Sequence, residues 1–72
     1  MADYDYSKLK GRIVEKFVLL GNFARAMHWS GATMTKKMSC RVPWTQKDIH
    51  AAIHLLDLTA EDIPAYFFTE KV

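Results

Sequence analysis

Apolar residues recur along this chain at the three- and four-residue spacing that places side chains on one face of a helix. The first predicted helix covers about residues 7–19, and its inner face is apolar: Leu9, Ile13, Phe17 and Leu20. Asp5 or Ser7 can cap its start, and Gly21 is well placed to end it in a left-handed conformation. No segment alternates between apolar and polar residues over a useful length, so the pattern predicts no strand.

A second and a third helix follow, and a tight turn joins them. Asn22 is a suitable N-cap for a helix over about residues 23–28, and Ser30 for one that extends to about residue 39. Trp29 fills the turn, where His28 occupies the position that is usually glycine. This succession is typical of a helix-turn-helix, whose second helix enters the DNA major groove. Apolar residues give the two helices their inward faces: Phe23, Ala24, Met27, Met34 and Met38.

The second half of the chain predicts a fourth helix and a short last one. After a loop over residues 40–44, Thr45 caps a helix in which Asp48, three residues on, gives a near capping-box arrangement. We expect Trp44 to be the most exposed aromatic residue, whereas the aromatics of residues 66–68 should pack on the first helix. The chain is therefore predicted to be all-α, with four to five short helices in a single domain over residues 1–72. The fourth helix has a buried stripe: Ile49, Ala52, Ile53 and Leu56.

The charges and the single cysteine restrict the function classes. Residues 16–47 carry six Lys or Arg and no acid, whereas residues 48–72 carry five acids and one base. This asymmetry suggests a polar partner for the basic middle, although a solvated basic face is an alternative. Cys40 alone cannot form an internal disulfide and no secretory signal is visible, so we expect a cytoplasmic protein. No apolar run approaches the roughly 20 residues of a membrane helix, so we expect no membrane partner.

No arrangement of residues indicates an enzyme, a metal site or a cofactor. His50 and His54 lie four apart on the predicted fourth helix, but zinc needs further ligands, and Ala51 excludes an HExxH motif. No glycine-rich phosphate loop and no nucleophile beside a base occur, so we expect neither catalysis nor a small-molecule substrate. Helix capping and solubility explain the acids near the end of the chain: Asp57, Glu61 and Asp62.

The chain resembles a known family of phage proteins through motifs spread over nearly its whole length. These motifs are Ser7-Lys8-Leu9-Lys10-Gly11-Arg12-Ile13, Phe23-Ala24, Ser30, Thr33-Met34 and Ile63-Pro64-Ala65-Tyr66-Phe67-Phe68-Thr69. They are similar to those of small helix-turn-helix regulators of temperate phages in Gram-positive hosts, which include Cro-like proteins and antirepressors. The resemblance implies the phage repressor/Cro-like helix-turn-helix fold, a bacterial host cytoplasm and a role in the lysis–lysogeny switch.

The positions that usually read bases are poorly equipped in this chain. Gly31 and Ala32 stand at the start of the third helix, where such proteins often carry Gln, Ser or Arg, and Ser30 is occupied as the cap. Lysines add affinity for phosphate without sequence information. Cro-like operator binding, the alternative function, would have to use a short polar set: Ser30, Thr33, Thr35, Lys36 and Lys37.

The leading hypothesis is an antirepressor that binds the DNA-binding N-terminal domain of the phage's CI-type repressor. The resemblance implies that such a protein keeps the repressor off its operators, and operator DNA could join the complex. A structural or host-interaction module with no connection to DNA is a third alternative. Protein interfaces favour aromatic residues and Arg within charged rims. We therefore predict this partner-binding surface: Thr33, Lys36, Lys37, Arg41, Val42, Trp44 and Phe67.

Overall fold

The computed structural model describes residues 4–71, so the ends of the predicted domain, residues 1–3 and 72, lie outside the described part. Within residues 4–71 there are five α-helices, a 3₁₀ turn and no strand, which confirms the all-α prediction. None of these helices is long and apolar enough to cross a membrane. The helices are α1 (Ser7–Phe17), α2 (Leu20–Ala26), α3 (Gly31–Met38), α4 (Gln46–Leu55) and α5 (Ile63–Phe67), and the 3₁₀ turn covers Ala60–Asp62.

The corner between α1 and α2 differs from the prediction. The residue with a positive φ is Val18 (φ 71°, ψ −50°), whereas Gly21, predicted to end the first helix, lies inside α2. The Leu19 N–H donates to the Phe17 carbonyl at 2.8 Å and closes a three-residue turn. A β-branched side chain crowds the backbone at positive φ, so this turn holds local strain. Asn22, predicted as an N-cap, also lies inside α2, and its Nδ2 donates to the Phe17 carbonyl at 2.8 Å.

The turn between α2 and α3 confirms the prediction. His28 has φ 62°, the left-handed conformation expected at a position that is usually glycine. The Trp29 N–H donates to the Ala24 carbonyl at 2.8 Å and closes the turn. Ser30 caps α3, because its Oγ accepts the Thr33 N–H at 3.1 Å. The structure thus contains the two short helices and the tight turn between them that the sequence predicts.

The start of α4 carries the capping box that its sequence predicts. Thr45 Oγ1 accepts the Asp48 N–H at 3.0 Å, and Asp48 Oδ2 accepts the Thr45 N–H at 3.0 Å. A similar arrangement begins the 3₁₀ turn, where Asp62 Oδ2 accepts the Thr59 N–H at 2.9 Å. Pro64 then occupies the first turn of α5, where proline is tolerated.

The core collects the inward faces of all five helices. The fully buried side chains stabilise the fold by about 1.5–3 kcal/mol each. Arg12 fastens α1 to the end of α4, because its Nε donates to the Leu56 carbonyl at 2.9 Å. The two ends of the described chain also meet, since the Asp5 N–H donates to the Thr69 carbonyl at 2.7 Å. The buried apolar residues are Tyr6, Leu9, Ile13, Phe23, Ala24, Met34, Ile49, Ala52, Ile53, Leu56 and Phe67.

Candidate partner-binding surface

The exposed start of α3 offers few donors to DNA bases. Gly31 and Ala32 are both exposed, and neither has a side chain that forms hydrogen bonds. The Thr35 hydroxyl donates back to the Gly31 carbonyl at 3.0 Å. The Ser30 hydroxyl donates to Thr33 Oγ1 at 3.0 Å and also accepts the Thr33 N–H. The structure thus places the predicted DNA-contacting hydroxyls along α3 and its N-cap. The hydroxyl protons of Ser30 and Thr35 are used in hydrogen bonds within this segment.

Lys37 does not belong to the exposed surface, so its prediction as a partner or DNA contact is wrong. Its Nζ lies 2.6 Å from Asp48 Oδ2 and 3.0 Å from the Pro43 carbonyl. The ammonium also lies 5.2 Å from the centroid of the Trp29 ring. Lys37 follows the buried Met34 by three residues, and that helical spacing turns both side chains inward.

The carboxylate of Asp48 is held in its ionised form. Burial alone raises the pKa of Asp48, but hydrogen bonds from Lys37 and from the backbone and side chain of Thr45 outweigh it. The pKa therefore lies below its usual value of 3.8. Because Asp48 belongs to α4 and Lys37 to α3, the ion pair fixes the loop between the two helices.

A line of aromatic rings in edge contact runs from Phe17 on α1 through Trp44 in this loop to Phe67 on α5. Trp44 is half-buried within it, and its Nε1 donates to the Lys37 carbonyl at 3.2 Å. The prediction that Trp44 would be the most exposed aromatic residue is wrong, because neighbouring rings enclose it. The ring centroids are separated by 5.4 Å for Phe17–Phe23, 6.5 Å for Phe23–Trp29, 5.2 Å for Trp29–Trp44 and 5.1 Å for Trp44–Phe67.

The aromatic tail divides between the core and the surface. Phe67 is 1% exposed, so its prediction as a partner contact is wrong, whereas Phe68 is 49% exposed. Phe67 follows Ile63 by four residues and shares the inner face of α5 with it. That spacing was the signal in the sequence that distinguishes the two neighbours. Phe68 makes an edge contact with Tyr4, with the ring centroids 5.6 Å apart.

An open cavity of about 330 Å³ lies between the N-terminal segment, the loop after α3 and α5. It brings together the predicted residues Arg41, Trp44 and Phe67. An adjoining cavity of about 370 Å³ shares Trp44, Ile49 and Phe68 with it. Tyr6 lines the first cavity, and burial, followed by the neighbouring Cys40, raises the pKa of Tyr6 to about 12. We call the two cavities together the aromatic cleft. Its walls are Tyr4, Tyr6, Cys40, Arg41, Pro43, Trp44, Gln46, Ile49, His50, Ile63, Phe67 and Phe68.

The remaining predicted contacts lie at the C-terminal end of α3. Lys36, Arg41 and Val42 are exposed, and Thr33 is half-buried. The N–H groups of Arg41 and Val42 donate to the Lys36 carbonyl at 3.0 Å and 3.2 Å. These hydrogen bonds fold the loop back onto the helix, so the three exposed side chains start from adjacent backbone.

The histidine pair of α4 lies at the surface. The rings of His50 and His54 are exposed and their centroids lie 4.7 Å apart. Within residues 4–71, no three His, Cys, Asp or Glu side chains come close enough together to hold a metal ion.

The fold defines a class of protein, the small all-helical domains built from five short helices. The chain belongs to the family described as "Protein of unknown function (DUF739)", which matches residues 1–70. It is similar to the solution structure of the modulator of repression (MOR) of the temperate bacteriophage TP901-1 from Lactococcus lactis. The two are 46% identical over 90% of this chain and 88% of that chain, with a TM-score of 0.82. This match confirms the resemblance to small temperate-phage regulators, and no curated protein sequence gives a significant match.

Proposed function

We propose that this chain is an antirepressor of a phage lysis–lysogeny switch. It binds the DNA-binding N-terminal domain of a CI-type repressor and blocks the binding of that repressor to its operators. The similarity to a modulator of repression is consistent with the coarser part of this proposal, a role in modulating a repressor. The finer part rests on the face of α3, which exposes Gly31 and Ala32 and buries Lys37.

The partner-binding surface of this proposal is centred on the loop after α3. Arg41 and Lys36 supply an exposed basic rim, and Val42, next to Arg41 in the chain, supplies an exposed apolar side chain. Phe68 takes the place that the sequence had suggested for Phe67. Interfaces gain most of their affinity from a few aromatic and Arg side chains within a polar rim, and this surface has that composition. Thr33 and Trp44 complete it.

Binding of this kind relieves repression by mass action. A repressor domain that is held by the antirepressor is removed from the equilibrium with operator DNA. The antirepressor does not need to read bases for this, so the weak donor set of α3 is compatible with the role. In this proposal, Arg41 and Lys36 pair with carboxylates of the protein partner and not with DNA phosphates.

Isothermal titration of this chain with an isolated repressor N-terminal domain tests the proposal. We expect a saturable complex, and we expect Arg41→Glu to weaken it by at least about tenfold, the equivalent of losing one hot-spot contact. Lys10→Glu, at an exposed position on α1, is the matched charge control and should bind as the wild type does. Absence of binding to the repressor domain, together with sequence-specific operator binding by this chain alone, would overturn the proposal in favour of a Cro-like role.

A further inference from the structure

A second surface feature lies on α2 and α3. A groove of about 430 Å³ opens between the start of α2 and one side of α3, and it shares no lining residue with the aromatic cleft. We call it the α2–α3 groove. Its lining is mainly apolar: Leu20, Gly21, Gly31, Met34 and Met38, with Thr35 and Ser39 at α3.

The polar atoms of the α2–α3 groove do not suit a nucleic acid. Phosphates and base edges are held by hydrogen-bond donors. The Thr35 hydroxyl donates to the Gly31 carbonyl at 3.0 Å, and the Ser39 hydroxyl donates to the Lys36 carbonyl at 3.3 Å. The hydroxyl protons of Thr35 and Ser39 are therefore both used in hydrogen bonds to backbone carbonyls of α3. The groove offers a ligand a mainly apolar surface.

Apolar surface continues along the chain from the groove into the corner between α1 and α2. Val18 is 70% exposed and Leu19 is 63% exposed, directly before the groove residue Leu20. Val14, one helical turn before Val18, is 44% exposed. Neighbouring exposed apolar side chains of this size mark interaction sites on small domains. The positive φ of Val18 adds a strained backbone at the same place, which is typical of functional surfaces.

The charges near the groove decide the chemistry of its occupant. Arg25 follows Gly21 by one turn of α2, so its side chain leaves the helix on the same side as Gly21. Arg25 is exposed and takes part in no ion pair within the described residues. No acid occurs from residue 16 to residue 47. A complementary occupant therefore brings carboxylates together with its apolar side chain.

We propose that the α2–α3 groove receives an apolar side chain from an amphipathic segment of the repressor, with a carboxylate of that segment beside Arg25. This inference rests on the proposed function and adds a second contact surface to it. The groove includes Gly31, at the start of α3, where an operator-binding relative would carry side chains that contact bases. In this proposal α3 contributes to two protein-binding surfaces, the groove and the surface at the loop after α3.

Filling the groove tests this inference without harming the fold. A Cβ atom added at Gly21, Gly31 or Gly11 meets no heavy atom within 4 Å, and none of the three has a positive φ. Gly21→Leu and Gly31→Leu fill the groove, whereas Gly11→Leu, on α1 and outside the groove, is the matched control. All three variants should unfold at the wild-type temperature or above it, because glycine within a helix is destabilising.

We expect both groove variants to bind the repressor N-terminal domain at least about tenfold more weakly than Gly11→Leu. In the wild type, the methyl resonances of Met34 and Met38 should shift during titration with that domain. If the wild type binds the repressor domain and Gly21→Leu and Gly31→Leu bind it with the same affinity, the groove assignment alone would be overturned. A wild type that does not bind the repressor domain would overturn the proposed function and this inference together. Concentration-dependent self-association that Gly31→Leu abolishes would identify a second copy of this chain as the occupant and contradict the inference.

Discussion

Lys37 Nζ lies 2.6 Å from Asp48 Oδ2, and the two side chains are only 9% and 18% exposed. The same carboxylate oxygen accepts the Thr45 N–H of the capping box at 3.0 Å. One group therefore joins the last turn of α3 to the first turn of α4. The loop between them, with Arg41, is held in place by this pair, so Lys37 supports the partner-binding surface without belonging to it.

Loss of the ammonium should destabilise the fold. We expect Lys37→Ala to lower the free energy of unfolding by about 2 kcal/mol, because the half-buried Asp48 loses its charged donor. Lys36→Ala, the exposed neighbour, should change it by less than about 0.5 kcal/mol. Urea denaturation followed by circular dichroism measures both. Equal midpoints for the two variants would show that the ion pair does not stabilise the fold.

The ion pair between Lys37 and Asp48 makes the free energy of unfolding depend on pH. The pKa of Asp48 is lowered in the folded protein, so its contribution is present above the unfolded pKa and is lost as the pH falls through the folded pKa. The free energy of unfolding should therefore decline below about pH 4, near the unfolded pKa of aspartate. Hydrogen bonding from Lys16 lowers the pKa of Asp57 in the same direction.

Asp48→Asn separates the contribution of Asp48 from that of the other carboxylates. This variant should be less stable than the wild type at neutral pH and should lose less stability on acidification. Denaturant midpoints measured from about pH 7 down to about pH 3 give both slopes. Parallel curves for the variant and the wild type would contradict the assigned pKa direction.

Local signals predicted those parts of the fold that local chemistry determines. Ser30 and Thr45 are N-caps because the short side chain of each carries an oxygen that accepts the backbone N–H three residues later. The position of His28 in the turn predicts its left-handed conformation, which the structure shows. These interactions span only a few residues, so they are visible in a sequence without knowledge of the tertiary structure.

The errors arose where packing overrides the local signal. Gly21 is the better residue for a left-handed conformation, yet Val18 adopts it, because the tertiary arrangement of α1 and α2 requires the earlier corner. The charge of Lys37 predicts a surface position, but the structure pairs Lys37 with Asp48 of the next helix. The cavity wall around Arg41 forms only where segments from both ends of the chain approach each other. No pattern of neighbouring residues in the sequence predicts such an approach.

The strained corner gives a prediction about stability. Val18→Gly should raise the free energy of unfolding by about 1 kcal/mol, because glycine adopts φ 71° without the crowding of a β-branched side chain. Val14→Gly, inside α1, should lower it by about 1 kcal/mol. Thermal unfolding compares the two variants. Destabilisation by Val18→Gly would show that this corner is not strained.

The two neighbouring phenylalanines should separate stability from binding. Phe67→Ala removes a fully buried ring and should cost about 3–5 kcal/mol of stability. Phe68→Ala should cost less than about 1 kcal/mol of stability, yet weaken the repressor complex, because its ring is half-exposed on the proposed surface. Thermal unfolding and titration calorimetry on the same samples measure the two effects. Wild-type affinity of a folded Phe68→Ala variant would remove Phe68 from the surface.

Competition for the operator tests the central claim most directly. A fluorescently labelled operator is first saturated with the repressor, and this chain is then added at physiological salt while the anisotropy is followed. The proposal predicts that the anisotropy falls to the value of free DNA as this chain reaches a stoichiometric excess over the repressor, and that the chain alone leaves it unchanged. A repressor–operator complex that persists at that excess, or specific retention of the operator by this chain alone, would contradict it.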